Sequence, residues 1–329
     1  MTAEPSANRL PDWRTFQPPD GIGALDEAAA SRLVPARDPR GHKGTFGTLL
    51  AVCGSLDYLG ASLLVSHAAL RAGVGLLCVA VPASLQPLIA GRVPEATSLG
   101  LPEVEPGEVD ATAATAAIAA YKASAILLGP GLRAGEGTRN LVRRLVAADG
   151  VPMSLDAEAL NSLALAESWW TLLRRPVVVT PHPMEFQRLD GQPVGDGDVE
   201  RAERARAAAA KWNCVVVLKG AHTVVAAPDG RLLMAPFQNP AMATGGTGDV
   251  LSGLLGSLLA QHAEPFDAAC LAVWLHGMAG EHLRERLGDA GLLSGELAGE
   301  VPRIRRHLTE VGKHVARGSQ RVGFARHES

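Results

Sequence analysis

Gly246-Thr-Gly-Asp249, followed at once by the apolar run 250–260, is the stretch of this chain best equipped for chemistry. Gly245, Gly246 and Gly248 permit positive φ, so successive backbone N–H groups can converge on one point. The run behind them has helical length, which predicts a loop opening onto a helix N-terminus. Unpaired N–H groups and the positive end of the helix dipole suit an anion, phosphate above all. A carboxylate beside bound phosphate is repelled by it. Asp249 therefore reads as a base that takes a proton from whatever meets the phosphate. As the alternative, the glycines form a plain turn and Asp249 caps the helix.

Other reactive types stand where apolar runs end: Gly54-Ser55, Gly129-Pro-Gly131, Asp156, His182 and Lys219. Singly, each has a bland reading. Asp156 could cap a helix starting at Ala157, His182 could be a structural loop histidine, and Lys219 a solvated strand end. Together they form a pattern, because ligands of an open parallel sheet bind beyond the carboxyl ends of its strands. Gly129-Pro-Gly-Leu-Arg-Ala134 also fits a dinucleotide fingerprint, with Asp149 about 20 residues on. Yet Asp149 falls in a turn rather than at a strand end, and a dehydrogenase would leave the 245–249 loop unexplained. No Gly-Lys-Ser/Thr sequence exists, so a Walker A loop is excluded. His276, in an apolar helix beside Trp274, reads as a satisfied core histidine, and Trp169-Trp170 as packing.

The elements that must position these residues alternate. Strands are expected at 48–53, 76–81, 126–128, 151–155, 177–180 and 215–218, with a hairpin of 223–227 and 232–235 around Pro228-Asp-Gly230. Helices are expected at 25–34, 60–72, 111–120, 138–148 and 199–212, then over the apolar run behind the glycine loop, and at about 265–287 and 295–317. Short, fully apolar strands between helices predict an α/β fold: a mainly parallel central sheet flanked by helices on both sides. The 329 residues are 47% hydrophobic and 20% charged, enough for one large core. We read 1–38 as an N-terminal extension, 39–316 as the domain and 317–329 as a C-terminal tail. A net charge of −3 gives no reason to expect nucleic acid or an anionic membrane, and the basic residues near the C-terminus read as a solvated helix face. Four scattered cysteines without C-x-x-C spacing predict buried free thiols in a reducing cytoplasm. No signal peptide or bilayer-length apolar run is present, so a cytoplasmic protein is expected.

Taken in order, the motifs resemble those of one family. They are His42-Lys-Gly-Thr-Phe-Gly47, Gly60-Ala61, Gly129-Pro-Gly131, Leu155-Asp-Ala-Glu-Ala-Leu-Asn161 and Thr180-Pro-His-Pro-Met-Glu185. Leu218-Lys-Gly220, Ala243-Thr-Gly-Gly-Thr-Gly-Asp249 and His276-Gly-Met-Ala-Gly280 complete the series. Over about residues 40–290 the chain is similar to the nucleotide-dependent NAD(P)H-hydrate dehydratases, which are ribokinase-like repair enzymes. The resemblance implies a ribokinase-like fold and ADP-dependent dehydration of (S)-NAD(P)H hydrated at C6 of the nicotinamide ring. ADP, or ATP, is the co-substrate; a ribokinase-like small-molecule kinase is the alternative. Asp249 would be the base, with Gly246, Thr247 and Gly248 stabilising the transferred phosphoryl group. Lys219, Gly220, Ala221, His222, Thr223 and Gly248 would contact the nucleotide, and Ala61, Gly131, His182 and Asp249 the hydrate. Mg²⁺ would bridge the phosphates, with Asp156, Asn161 and Glu185 as further candidates for its water network. A homotetramer is implied. The epimerase domain fused to many relatives does not fit into 1–38, so a separate epimerase is expected. The chain departs from the family at Arg133 and Met184, both usually Gly, and at Glu158, usually Asp.

Overall fold

A computed structural model describes residues 12–324, with side chains through 314. Residues 1–11 of the expected extension and 325–329 of the expected tail lie outside them. The first half contains β1 (Gly23–Ala24), α1 (Glu27–Arg32), β2 (Thr48–Val52), α2 (Leu59–Ala72), β3 (Leu76–Pro82), α3 (Gln86–Ala90) and β4 (Thr97–Leu101). A small hairpin, β5 (Glu103–Glu105) and β6 (Glu108–Val109), leads into α4 (Ala111–Ala120), β7 (Ala125–Leu128) and α5 (Glu136–Val146). Then come β8 (Met153–Leu155), α6 (Glu158–Ala164), β9 (Val177–Val179), α7 (Pro183–Asp190), α8 (Asp198–Trp212) and β10 (Val215–Leu218). β11 (Val224–Ala226) and β12 (Leu232–Met234) precede the final helices α9 (Thr247–Ala260), α10 (Pro265–Leu287) and α11 (Ser294–Phe324).

Ten strands of the described residues form one sheet in the order β1-β12-β11-β10-β9-β8-β7-β2-β3-β4. Neighbours pair in parallel from β10 to β4, and only β11 runs against the rest. Strand alternation sorts side chains onto two faces. Leu49, Ala51 and Leu127 join the core beneath α2, α9, α10 and α11, whereas Leu50, Val52, Ile126 and Leu128 join the core on the other face. That second core is closed by α4–α8. The expected α/β sandwich of a mainly parallel sheet between helical layers is the observed one.

Helix α9 is buried along almost its whole length. It can lie against α2 because Gly253 has no side chain: a Cβ there would stand 2.4 Å from the Val65 carbonyl oxygen. The segment before residue 39 is tied into the sheet. β1 pairs in parallel with β12, Leu25 is fully buried, and Trp13 packs against the rings of Phe237 and Trp274. Strand β1, helix α3, edge strand β4, the β5–β6 hairpin and α7 have no counterpart among the expected elements; at α7, Pro181-His-Pro183 read as a loop. Pro183 is instead the first residue of a helix, a position where its missing N–H costs nothing.

Candidate active site

Because the strands from β2 to β10 are parallel, their carboxyl ends lie along one edge. Backbone bonds stitch the strand-end residues to one another there. Gly129 N–H donates to Val52 at 3.1 Å, Asp156 N–H to Leu128 at 3.2 Å, Thr180 N–H to Leu155 at 3.1 Å and Lys219 N–H to Pro181 at 2.9 Å. Gly54 N–H donates to Pro130 at 2.8 Å. Residues far apart in sequence thus share one rim, as the pattern predicted.

At its centre is a buried charge cluster. Lys219 Nζ donates to Asp156 Oδ1 at 2.7 Å and stands 3.6 Å from Glu185 Oε2. Ser252, on α9, donates its hydroxyl to Asp156 Oδ2 at 2.7 Å. Burial alone would push the Lys219 ammonium down, but the Asp156 and Glu185 carboxylates outweigh it and hold the group above its usual range. Glu185 is pushed up, chiefly by burial, against the opposing pull of Lys219. Ionised groups this deep persist only when paired.

The glycine loop sits directly on this cluster. A Cβ at Gly248 would lie 3.6 Å from Lys219 Nζ and 3.9 Å from Asp156 Oδ2. Gly246 has φ +90° and forms the N-cap of α9 with no side-chain cap, which leaves the first-turn N–H groups open. Thr247 Oγ1 donates to the Met242 and Thr244 carbonyls, and Ser294 Oγ to that of Gly245, fixing the loop from inside and from α11. Asp249 is in the first turn of α9. Burial, aided by the Asp156 charge and opposed by Lys219, raises its carboxyl from 3.8 to about 6. A group so poised is ionised near neutrality yet basic enough to take a proton.

A cavity of about 390 Å³ opens beside the loop. Lys219, Gly220, Ala221, Thr247 and Gly248 supply its polar end, and Ala235, Phe237, Met242, Leu251 and Val273 an apolar wall. His276 also lines it. Burial keeps this imidazole neutral, with its pKa down at about 4. Its Nε2–H therefore donates to the Thr247 carbonyl at 2.8 Å, a tautomer assigned from the acceptor. The satisfied histidine of the sequence reading is thus found, but at the wall of the site.

The other expected residues divide. Gly131, at φ +66°, packs so closely on α2 that a Cβ would stand 2.6 Å from that of Ala61, so these two form one surface. His182 is the N-cap of α7: its Nδ1 accepts from the Met184 and Glu185 N–H groups, and Glu185 accepts in return from His182 N–H. Burial and the Lys219 charge keep that ring neutral below its ordinary range. Asp156 and Glu185 meet at Lys219, whereas Asn161 is held by Glu158 and Arg188 instead. Among the described residues no group of three or more His, Cys, Asp or Glu gathers as a metal cage. Arg133 and Met184 are exposed at the rim.

Sequence reasoning missed Ser252, Phe237 and Arg201. Buried Arg201 donates to the Leu218 and Lys219 carbonyls and holds up the loop after β10. A signal existed, since Arg201 shares a face of α8 with buried Ala205 and Ala209, where a charge needs a reason. No helix among the described residues is long and apolar enough to cross a membrane.

The profile of the Carb_kinase family, NAD(P)H-hydrate dehydratase, matches residues 49–303. The chain is 39% identical over 273 residues to the ADP-dependent (S)-NAD(P)H-hydrate dehydratase of Bacillus subtilis, spanning 82% of this chain and 93% of that protein. It spans about half the length of the bifunctional NAD(P)H-hydrate repair enzymes it also matches. The B. subtilis ADP/ATP-dependent NAD(P)H-hydrate dehydratase co-crystallized with ATP/Mg²⁺ superposes with a TM-score of 0.77 at 36% identity, over 88% of this chain and 99% of that one. A ribokinase-like superfamily protein of Enterococcus faecalis superposes with a TM-score of 0.75 at 26% identity, over 88% and 97% of the two chains.

Proposed function

The chain belongs to the NAD(P)H-hydrate dehydratase family, and from that premise we propose that it is an ADP-dependent (S)-NAD(P)H-hydrate dehydratase. It restores NAD(P)H from the C6 hydrate while ADP becomes AMP and phosphate. Hydroxide leaves carbon poorly, and phosphate leaves well. Asp249 takes the proton of the C6 hydroxyl as that oxygen bonds to the terminal phosphorus of ADP and the bond to AMP breaks. The N–H groups of Gly246, Thr247 and Gly248 bind the charge on the phosphoryl oxygens. The lone pair of the ring nitrogen then expels phosphate from C6, and loss of a proton from C5 forms the ring double bond.

What supports this reading is Asp249: a carboxyl raised to about 6, one residue beyond the cavity's polar end and in the field of Asp156 and Lys219. In the cavity, the base of the nucleotide lies against the Phe237–Leu251–Val273 wall, with its phosphates toward Lys219 and Gly248. Gly220, Ala221 and Thr223 line the same end. Ala61, Gly131 and His182 form the hydrate side of the rim. Mg²⁺ suits a site where Asp156 and Glu185 share a single lysine; they would hold it through water, and it would neutralise phosphate charge. We take the enzyme to be a cytoplasmic homotetramer served by a separate epimerase.

The test is purified protein with NADHX, each of ADP and ATP, and Mg²⁺, read by recovery of reduced-nicotinamide absorbance and release of free phosphate. Recovery with ADP supports the proposal. A stable phosphorylated product without NADH would replace it by a ribokinase-like small-molecule kinase.

A further inference from the structure

We infer that Trp13 and Phe16 are positioning residues for the nucleotide, acting through Phe237 and His222 from a segment that precedes every motif of the family. The inference rests on the nucleotide occupying the cavity beside Lys219. Two parts of that cavity's wall are held from behind. Phe237 lies across α10 at Gly277, where a Cβ would stand 2.0 Å from its ring, so only glycine lets the ring reach this position. Behind it, Trp274 meets the ring edge-on at 5.2 Å and Trp13 at a tilt at 6.1 Å between ring centroids, and Trp13 meets Trp274 edge-on at 5.8 Å.

The second part is the loop after β10. Gly220, Ala221 and Thr223 line the cavity, but His222 does not. His222 adopts φ +50°, a conformation that costs a side-chain-bearing residue energy and persists only where its surroundings hold it. Three contacts do so. Its Nδ1 meets Asp198 Oδ2 at 2.8 Å, its ring lies 4.3 Å from that of Phe16, and its N–H donates to the Phe237 carbonyl at 2.9 Å. The last bond joins the two parts of the wall. Phe16 therefore packs on one end of the His222–Phe237 link and Trp13 on the other. The segment is itself anchored, through Arg206 donating to the Gly21 carbonyl and through the β1–β12 pairing. Aromatic pairs carry a geometry-dependent attraction beyond their area, so losing one partner loosens the other.

The experiment compares Phe16→Ala, Phe16→Tyr and Trp13→Ala with the wild type in ADP binding by calorimetry with Mg²⁺, and in KM for ADP, KM for the hydrate and kcat. Phe16→Ala and Trp13→Ala are each expected to weaken ADP binding about two- to tenfold, the range set by one aromatic pair. KM for the hydrate should stay unchanged, and Phe16→Tyr should restore ADP affinity. Unaltered ADP affinity in both alanine variants, or equal rises in both KM values, overturns the inference. If Phe16→Ala does not fold, Phe16→Leu, which keeps volume without an aromatic face, gives the same comparison. Wild-type protein that binds no ADP overturns the functional reading, and this assignment with it.

Discussion

Asp249→Asn is expected to abolish turnover and stabilise the protein in the same stroke. The Asp249 carboxyl, ordinarily at 3.8, is raised to about 6 by burial and by Asp156. A group with a raised folded-state pKa favours folding while protonated, and that contribution is lost as pH climbs from the unfolded value through the folded one. Above that window the wild type carries the whole cost of an ionised, poorly solvated carboxylate. About two units at 1.36 kcal/mol each give about 3 kcal/mol, reduced toward about 2 because the group keeps some contact with water. Asparagine fills the same space and never ionises. Its advantage should thus be about 2–3 kcal/mol at about pH 8 and about 1 kcal/mol at about pH 4.5. For a chain of this length that is a Tm gain of about 3–5 °C at the higher pH. The assay is a pair of melting curves across this pH range, beside the NADHX assay, in which the loss should be at least about 10²–10⁴-fold. An Asp249→Asn variant no more stable than the wild type at high pH, or equally stabilised at both ends, would refute the electrostatic account. Retained turnover would remove Asp249 from the base role.

Lys219→Met leaves Asp156 and Glu185 facing each other without a cation, and should cost about 3–5 kcal/mol by chemical denaturation and abolish ADP binding in calorimetry. Gly277→Ala drives a methyl group into Phe237, so a loss of about 1–3 kcal/mol and a raised KM for ADP with the hydrate KM unchanged are expected. His276 is held neutral with its pKa at about 4, so its contribution is intact above the ordinary value of 6.5 and is lost as pH falls toward 4. His276→Gln, which keeps a donor for Thr247, should therefore lose less stability than the wild type between those values, measured by denaturant midpoint.

Much of the site was legible because a parallel sheet sets the residues just past its strands side by side. Once 126–128, 151–155, 177–180 and 215–218 read as buried strands, Gly129, Asp156, His182 and Lys219 had to share a rim. β4 was hidden because Thr97-Ser-Leu-Gly-Leu101 is a half-covered edge strand with no apolar run. α7 was hidden because two prolines around His182 look like a loop, and imidazole is not an expected N-cap acceptor. Ser252 lies within an apolar helix, and only the fold brings Asp156 within 2.7 Å of its hydroxyl. The tilted contact of Trp13 with Phe237 joins residues far apart in the chain, and no local pattern encodes such a contact.

The reversed strand of the sheet, β11, has a practical meaning. A crossover helix after β10 would have carried the chain away from the rim at the strands' carboxyl ends; the hairpin instead turns at Lys219–Thr223 and brings β12 back to that rim just before the glycine loop. Its other turn, Pro228-Asp-Gly230, is left on the far side of the sheet, where Asp229 is exposed and accepts from Arg231. That distal turn is the natural graft point of the molecule. A peptide tag or a tethering domain inserted there should leave the residues of the opposite rim in place.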